Sequence, residues 1–344
     1  MKRMLEAWRR LPGLRWVVMI AFTALAVFLA LRNVRLEQVG QILSQSRGGV
    51  VLLSLASVMA THLAKTARWR ALIGPQGDRV ADRRLFMSIM TGQLFNIFLP
   101  GRVGDLSRAY EIGGLGPGRA FILGTVALEK VIEMISFALL FLLTLLALPL
   151  PGWIRDSGLT FTLLALILAA GLALLVRYPA FILRLACSAS GWLAEPLRAG
   201  LLARLQAGLS SLQIVQQPRS LAWIALWTAV VWASGVWTNV LVLQALDLPA
   251  SWLAGSVILL VLQIGVSIPS VPGRVGVFQY LCILTLGLFG IDQAAGLSYG
   301  ILLQAVAFLP TVVLGLLFLW MGGAGDRPAP VESGEERPAP RAER

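Results

Sequence analysis

Two arginines set in otherwise apolar sequence are the residues of this chain best suited to chemistry. Each sits in the pentapeptide Pro-Gly-Arg-Val-Gly, which occurs at Pro100–Gly104 and again at Pro272–Gly276, 172 positions apart. Each copy closes a short apolar run, Leu85–Leu99 or Trp252–Ile268. A guanidinium is a planar fork of donors that can give a phosphate two hydrogen bonds at once. Pro and Gly interrupt a helix, and the amides so released add donors of the kind found in anion-binding nests. An Arg at mid-bilayer costs about 2.5–3.5 kcal/mol on insertion scales, so two of them call for anionic partners. Two readings follow. Gly101, Arg102, Gly273 and Arg274 form a site for phosphate or a lipid headgroup, or the arginines snorkel to the interface or pair with internal carboxylates.

Carboxylates for such pairing are at hand. Asp105 and Glu111 flank the first loop, and Glu129 and Glu133 are spaced to share one face of a helix, with Lys130 beside them. Glu129 falls about 15 Å into its apolar run at helical rise, near mid-depth. It could pair with Arg102 or Arg274 in an empty site, take up a proton during transport, or join Lys130 and Glu133 in holding helices together. Gln93, Asn96, Gln263 and Gln279 bring neutral hydrogen-bonding groups beside the two loops. The lone His62 builds neither a zinc site nor a catalytic pair and reads as a polar residue near a helix end. Cys187 and Cys282 read as packing residues. Gly113–Gly118 follows no strand and reads as a turn, not a phosphate loop. No nucleophile–base pair, metal cluster or cofactor motif stands out, so no cofactor and no enzyme is expected.

The elements that position these residues follow from composition. The chain is 57% hydrophobic and 13% charged, where a soluble protein would be about 25% charged. The expected fold class is all-α, a polytopic transmembrane helical bundle with inverted repeats and two broken or re-entrant Pro-Gly-Arg segments. Six runs look able to cross: Trp16–Leu31, Gly49–Ala64, Ala120–Leu150, Leu159–Val176, Ser220–Leu246 and Gly296–Trp320. The first follows a basic stretch in the manner of a secretory signal, but without a convincing cleavage site it reads as an uncleaved span. Leu85–Leu99, Trp252–Ile268 and Val277–Gly290 read as re-entrant hairpins or, in the second half, as two further crossings.

The net charge of +12 does not point to nucleic acid, because the basic residues gather at the ends of apolar runs and not in a domain. Five Lys and Arg precede the first span, six lie in Lys65–Arg84 and five in Arg177–Arg219. Three lie in Arg32–Gly48, one in Pro151–Gly158 and none in Asp247–Ser251 or Ile291–Ala295. Positive-inside logic then places both termini in the cytoplasm. A shift of 172 lays Gly49–Ala64, Leu85–Leu99 and Ala120–Leu150 on Ser220–Leu246, Trp252–Ile268 and Gly296–Trp320, with opposite directions of crossing. Inverted halves of this kind place a substrate site at their interface. The expected organisation is one transmembrane domain, 1–320, with pseudo-repeats of about 1–158 and 159–320, and a disordered cytoplasmic tail, 321–344. Leu201, Leu205, Leu209 and Leu212 mark an amphipathic helix that lies on the cytoplasmic leaflet or packs on the bundle.

Four segments carry a family resemblance. Lys65–Leu72, Asn96–Tyr110, Ala127–Glu133 and Pro272–Gln279 resemble the flippase-like transmembrane region of bacterial lysylphosphatidylglycerol synthases, and the likeness extends nearly to Trp320. It implies a protein that moves a phospholipid or lipid-linked headgroup between leaflets, with membrane lipids of anionic phospholipid, polyprenyl or hopanoid type as partners. Members of that family often carry Glu-Arg and then Asp where this chain has Glu129-Lys130 and Glu133, and Glu where it has Gln279. No segment resembles the synthases' soluble aminoacyl-transfer domain, so the chain is expected to move such a lipid and not to make it. Asp105, Arg108, Glu129, Asn96 and Gln279 are expected to complete the site of Arg102 and Arg274. The alternatives are a scaffold for envelope-lipid biosynthesis enzymes and an integral-membrane transferase.

Overall fold

The computed structural model describes residues 27–28, 30–31, 34–99, 103–265 and 272–325. Most of these residues are helical, with no strand among them. The helices are α1 Leu36–Ser44, α2 Gly48–Ile73, α3 Asp82–Phe98, α4 Val103–Gly113, α5 Arg119–Ala147 and α6 Gly152–Arg177. They continue as α7 Pro179–Ala189, α8 Glu195–Leu212, α9 Pro218–Ala245, α10 Trp252–Gly265, α11 Val277–Gly287 and α12 Gln293–Gly325. Proline punctuates them: Pro151 caps α6, and Pro179 and Pro218 open α7 and α9, where a missing N–H is harmless.

Among the described residues, α2, α5, α6, α9 and α12 are long and apolar enough to cross a membrane. The expected first span, Trp16–Leu31, lies largely outside the described residues, as does the tail beyond Gly325; α12 runs past the expected boundary at Trp320. The run expected to end at Ala64 continues as α2 to Ile73, so Lys65, Arg68 and Arg70 are helical and do not belong to a loop. Charge does not end this helix because Arg68 finds carboxylates inside the bundle. At about 1.5 Å per residue, α3, α4, α10 and α11 each fall short of a ~30 Å core.

The element order of the first half recurs in the second. A shift of 172 carries α2 from Gly48–Ile73 to Ser220–Ala245, almost the extent of α9, and α3, α4 and α5 fall on α10, α11 and α12 in turn. The counterparts α2 and α9 pack antiparallel. At one end the Arg47 amide donates to Ala245 O (2.8 Å) and its guanidinium meets Asp247 (2.6 Å). Further along, Ser57 and Thr238 share a hydrogen bond (2.9 Å), and Thr61 donates to Ser234 (2.9 Å). Small hydroxyl side chains let the two backbones close while satisfying one another.

Each half then folds a short helix back on its neighbour. In the first, α3 and α4 meet at Gly92 and Gly104, where a Cβ on Gly104 would lie 1.7 Å from Gly92 O. The last glycine of the first pentapeptide therefore serves a close helix crossing. In the second, Ala254 and Ile258 of α10 pack with Cys282 and Leu286 of α11. α12 closes the bundle against α3, with Gly315 on Met90 and Leu94.

The leucine series on α8 divides along its length. Leu209 and Leu212 are buried against α5, where Gly124 and Gly208 allow close approach, whereas Leu197 and Leu201 are exposed. The bundle-packed reading thus describes the end of α8, and its beginning keeps an open apolar face.

Candidate functional site

Periodicity on α2 is the starting point. Thr61, His62 and Lys65 follow at helical spacing, face one cavity, and lead one turn on to the fully buried Arg68. The cavity has a volume of about 420 Å³. Its walls come from both halves: Gln93 and Asn96 of α3, Asp105 and Arg108 of α4 and Glu129, Lys130 and Glu133 of α5 on one side. Asn239 of α9, Gln263 of α10, Arg274 of the second loop and Thr311 of α12 stand on the other.

The first-half wall is an ion network. Glu129, 3% exposed, accepts from Arg68 Nη2 at 2.7 Å through Oε1 and from Arg108 Nη2 at 2.9 Å through Oε2. Arg68 also reaches Glu133 (2.9 Å), and Lys130 bridges Glu133 (3.2 Å) and Asp105 (3.6 Å). The Arg108 guanidinium lies 4.0 Å from the ring of Trp69, whose indole donates to Thr125 (3.2 Å). A carboxylate between two guanidiniums in a water-poor interior ties α2, α4 and α5 together, since loss of either partner leaves a buried charge uncompensated. Pairing with Arg102 or Arg274 was one of three readings of Glu129; among the described residues the guanidiniums at its oxygens are those of Arg68 and Arg108. Arg68 stands on the same helix face as Thr61 and Lys65.

The second loop is held in an unusual backbone path. Pro272–Arg274 form a single 3₁₀ turn, with φ of +78° at Gly273, +57° at Arg274 and +85° at Gly276. Left-handed backbone at a non-glycine residue such as Arg274 costs about 1–2 kcal/mol and must be held by its surroundings. The holding group is Gln304 of α12, whose amide donates to Gly273 O (2.6 Å) while its oxygen accepts from Gln279. Gln279 accepts in turn from the Gly276 amide (2.7 Å). Gln279 is thus buried and shapes the loop, and the loop presents Arg274 to the cavity.

The other expected site residues distribute as follows. Gly101 and Arg102 lie outside the described residues. Asn96 accepts from the Gly104 amide (3.0 Å) and donates to Asp105 (3.1 Å), so it orders the start of α4 at the cavity edge. His62 stands mid-helix, away from either end. Its Nδ1 lies 3.3 Å from the Gln93 amide nitrogen and its Nε2 3.2 Å from the Thr311 hydroxyl, joining α2 to α3 and α12. Among the described residues no group of His, Cys, Asp and Glu is placed to hold a metal ion.

A bundle with several apolar helices of spanning length around a charged interior cavity is a multi-pass integral membrane protein. More narrowly, the model of the family described as the lysylphosphatidylglycerol synthase TM region matches residues 16–315, and the chain belongs to that family. A comparison with curated proteins gave no match.

Proposed function

We propose that this protein is a translocator that carries an anionic phospholipid or lipid-linked headgroup across the bacterial inner membrane, and that it does so as a carrier, without covalent chemistry. The observation that carries the reading is the cavity at the junction of the halves. Lys65, Arg108, Lys130 and Arg274 line it with Asp105, Glu129 and Glu133, and Arg68 adds a fifth cation behind Glu129. The surplus of positive charge in a low-dielectric interior favours an anion. The volume falls within the range of about 300–1,000 Å³ usual for small-molecule sites, enough for a headgroup with its acyl chains left in the bilayer.

In this reading the loop arginines, Arg274 and its sequence counterpart Arg102, take the phosphate, and Asp105, Arg108 and Glu129 fix the wall it approaches. The antiparallel packing of α2 on α9 supports halves of opposite orientation, with the α3–α4 and α10–α11 hairpins entering from opposite leaflets. Basic chain ends support cytoplasmic termini.

The test is leaflet exchange in vesicles that contain the purified protein and a fluorescent phosphatidylglycerol, read by chemical quenching of the outer leaflet. The parent protein is expected to expose inner-leaflet probe well above protein-free vesicles, and Arg274→Ala about tenfold more slowly. Equal rates for two well-folded proteins reject the site, and a parent rate no faster than empty vesicles rejects translocation.

A further inference from the structure

We infer that Lys65 sets the preference of the cavity for a net anionic headgroup over a zwitterionic one; the inference rests on the lipid-binding reading above. Within the ion network, three cations, Arg68, Arg108 and Lys130, face three carboxylates, Asp105, Glu129 and Glu133. Every member lies within 4.0 Å of an opposite charge. Lys65 is the next charge on that wall. It lines the cavity and stays partly accessible, and among the described residues its ammonium makes no hydrogen bond or ion pair.

Glu133 lines the same wall, but both oxygens of that carboxylate are engaged, Oε1 by Arg68 and Oε2 by Lys130. Lys65 therefore offers three ammonium donors and a unit charge in excess of a balanced wall. A ligand phosphate supplies the missing counter-charge. A zwitterionic headgroup brings the same phosphate together with its own cation, which a wall of net positive charge disfavours. Neutralising Lys65 leaves that wall balanced and removes its preference between the two headgroup classes, while Arg274 on the opposite wall serves the phosphate that both share. His62, one turn back on α2, is occupied by Gln93 and Thr311 and does not compete for the ligand.

Calorimetric titration of the full-length protein in neutral detergent tests this with dihexanoylphosphatidylglycerol, dihexanoylphosphatidylcholine and inorganic phosphate. The parent should bind the glycerol lipid about tenfold more tightly than the choline lipid, and inorganic phosphate more weakly than either, since it has no glycerol or acyl groups to bury. Lys65→Gln should bring the lipid preference below about twofold, chiefly by weakening the glycerol lipid, while keeping the melting temperature, and Lys65→Arg should restore the preference. A tenfold preference that survives Lys65→Gln overturns the role of Lys65 and leaves the lipid site standing. A parent that binds neither lipid overturns both. Inorganic phosphate that binds as tightly as the glycerol lipid would assign the site to a soluble anion and overturn the headgroup inference.

Discussion

Replacing Glu129 with Gln should destabilise the protein by about 3–5 kcal/mol, the penalty typical of a buried ion left without its partner. Glu129 is 3% exposed and divides its oxygens between Arg68 and Arg108, at 2.7 and 2.9 Å. The amide of Gln keeps one acceptor but turns an NH₂ donor toward the second guanidinium. Arg68 would still hold Glu133 at 2.9 Å, whereas among the described residues Arg108 would keep only Asp105 at 4.0 Å and the face of Trp69. Glu133→Gln is the matched control. The Glu133 side chain is 26% exposed, and both of its cations retain another carboxylate, Arg68 with Glu129 at 2.7 Å and Lys130 with Asp105 at 3.6 Å. Its loss should cost about 1 kcal/mol, as for a partly exposed pair. Reversible unfolding in mixed micelles of neutral detergent and dodecyl sulfate, followed by helical circular dichroism, measures the difference. A gap of about 2 kcal/mol or more is expected from these values. Equal destabilisation by the two variants, within about 0.5 kcal/mol, would refute the argument that Glu129 is the keystone of the network.

Gly104→Ala should destabilise the α3–α4 crossing by at least the roughly 1–3 kcal/mol of an overpacked core, because the new methyl would sit 1.7 Å from Gly92 O. Gly200→Ala, which meets nothing within 4 Å on α8, should leave melting unchanged or raise it slightly. Gln304→Leu removes the bonds to Gly273 O and Gln279. Faster hydrogen exchange should follow at the Gly276 amide, which depends on Gln279, while exchange in α2 and α9 stays unchanged.

Much of the architecture is readable from the chain because a bilayer demands long apolar helices, and breaks at proline and glycine separate them. The offset of 172 is written in the pentapeptides and in the hydropathy blocks alike, so the order of elements in the two halves can be anticipated. What hydropathy cannot distinguish is a charge that ends a helix from a charge that is paired inside one. Lys65, Arg68 and Arg70 look like a cytoplasmic loop for that reason, and Arg68, the most buried member of the network, passes unnoticed. The polar stripe Ser57, Thr61, Lys65 and Arg68, at intervals of three and four, was the available signal that the helix continues with one polar face inward. Gln304 was visible only as an isolated amide in the apolar run Gly296–Trp320, where an unpaired polar group would be expensive. No local pattern relates Gln304 to Gly273, because α12 meets the loop only once the bundle has closed. For the same reason, an arginine partner for Glu129 was one of several readings open in the sequence, and none of them paired it with Arg68 or Arg108.

The most direct test of the central claim is a cryo-electron-microscopy structure of the protein in nanodiscs of anionic lipid. Headgroup density inside the cavity, with a phosphate within hydrogen-bonding distance of Arg274 and facing the Lys65 side, is the predicted result. Lipid density confined to the outer faces of the bundle, with the cavity open and holding only water in anionic lipid, would contradict it.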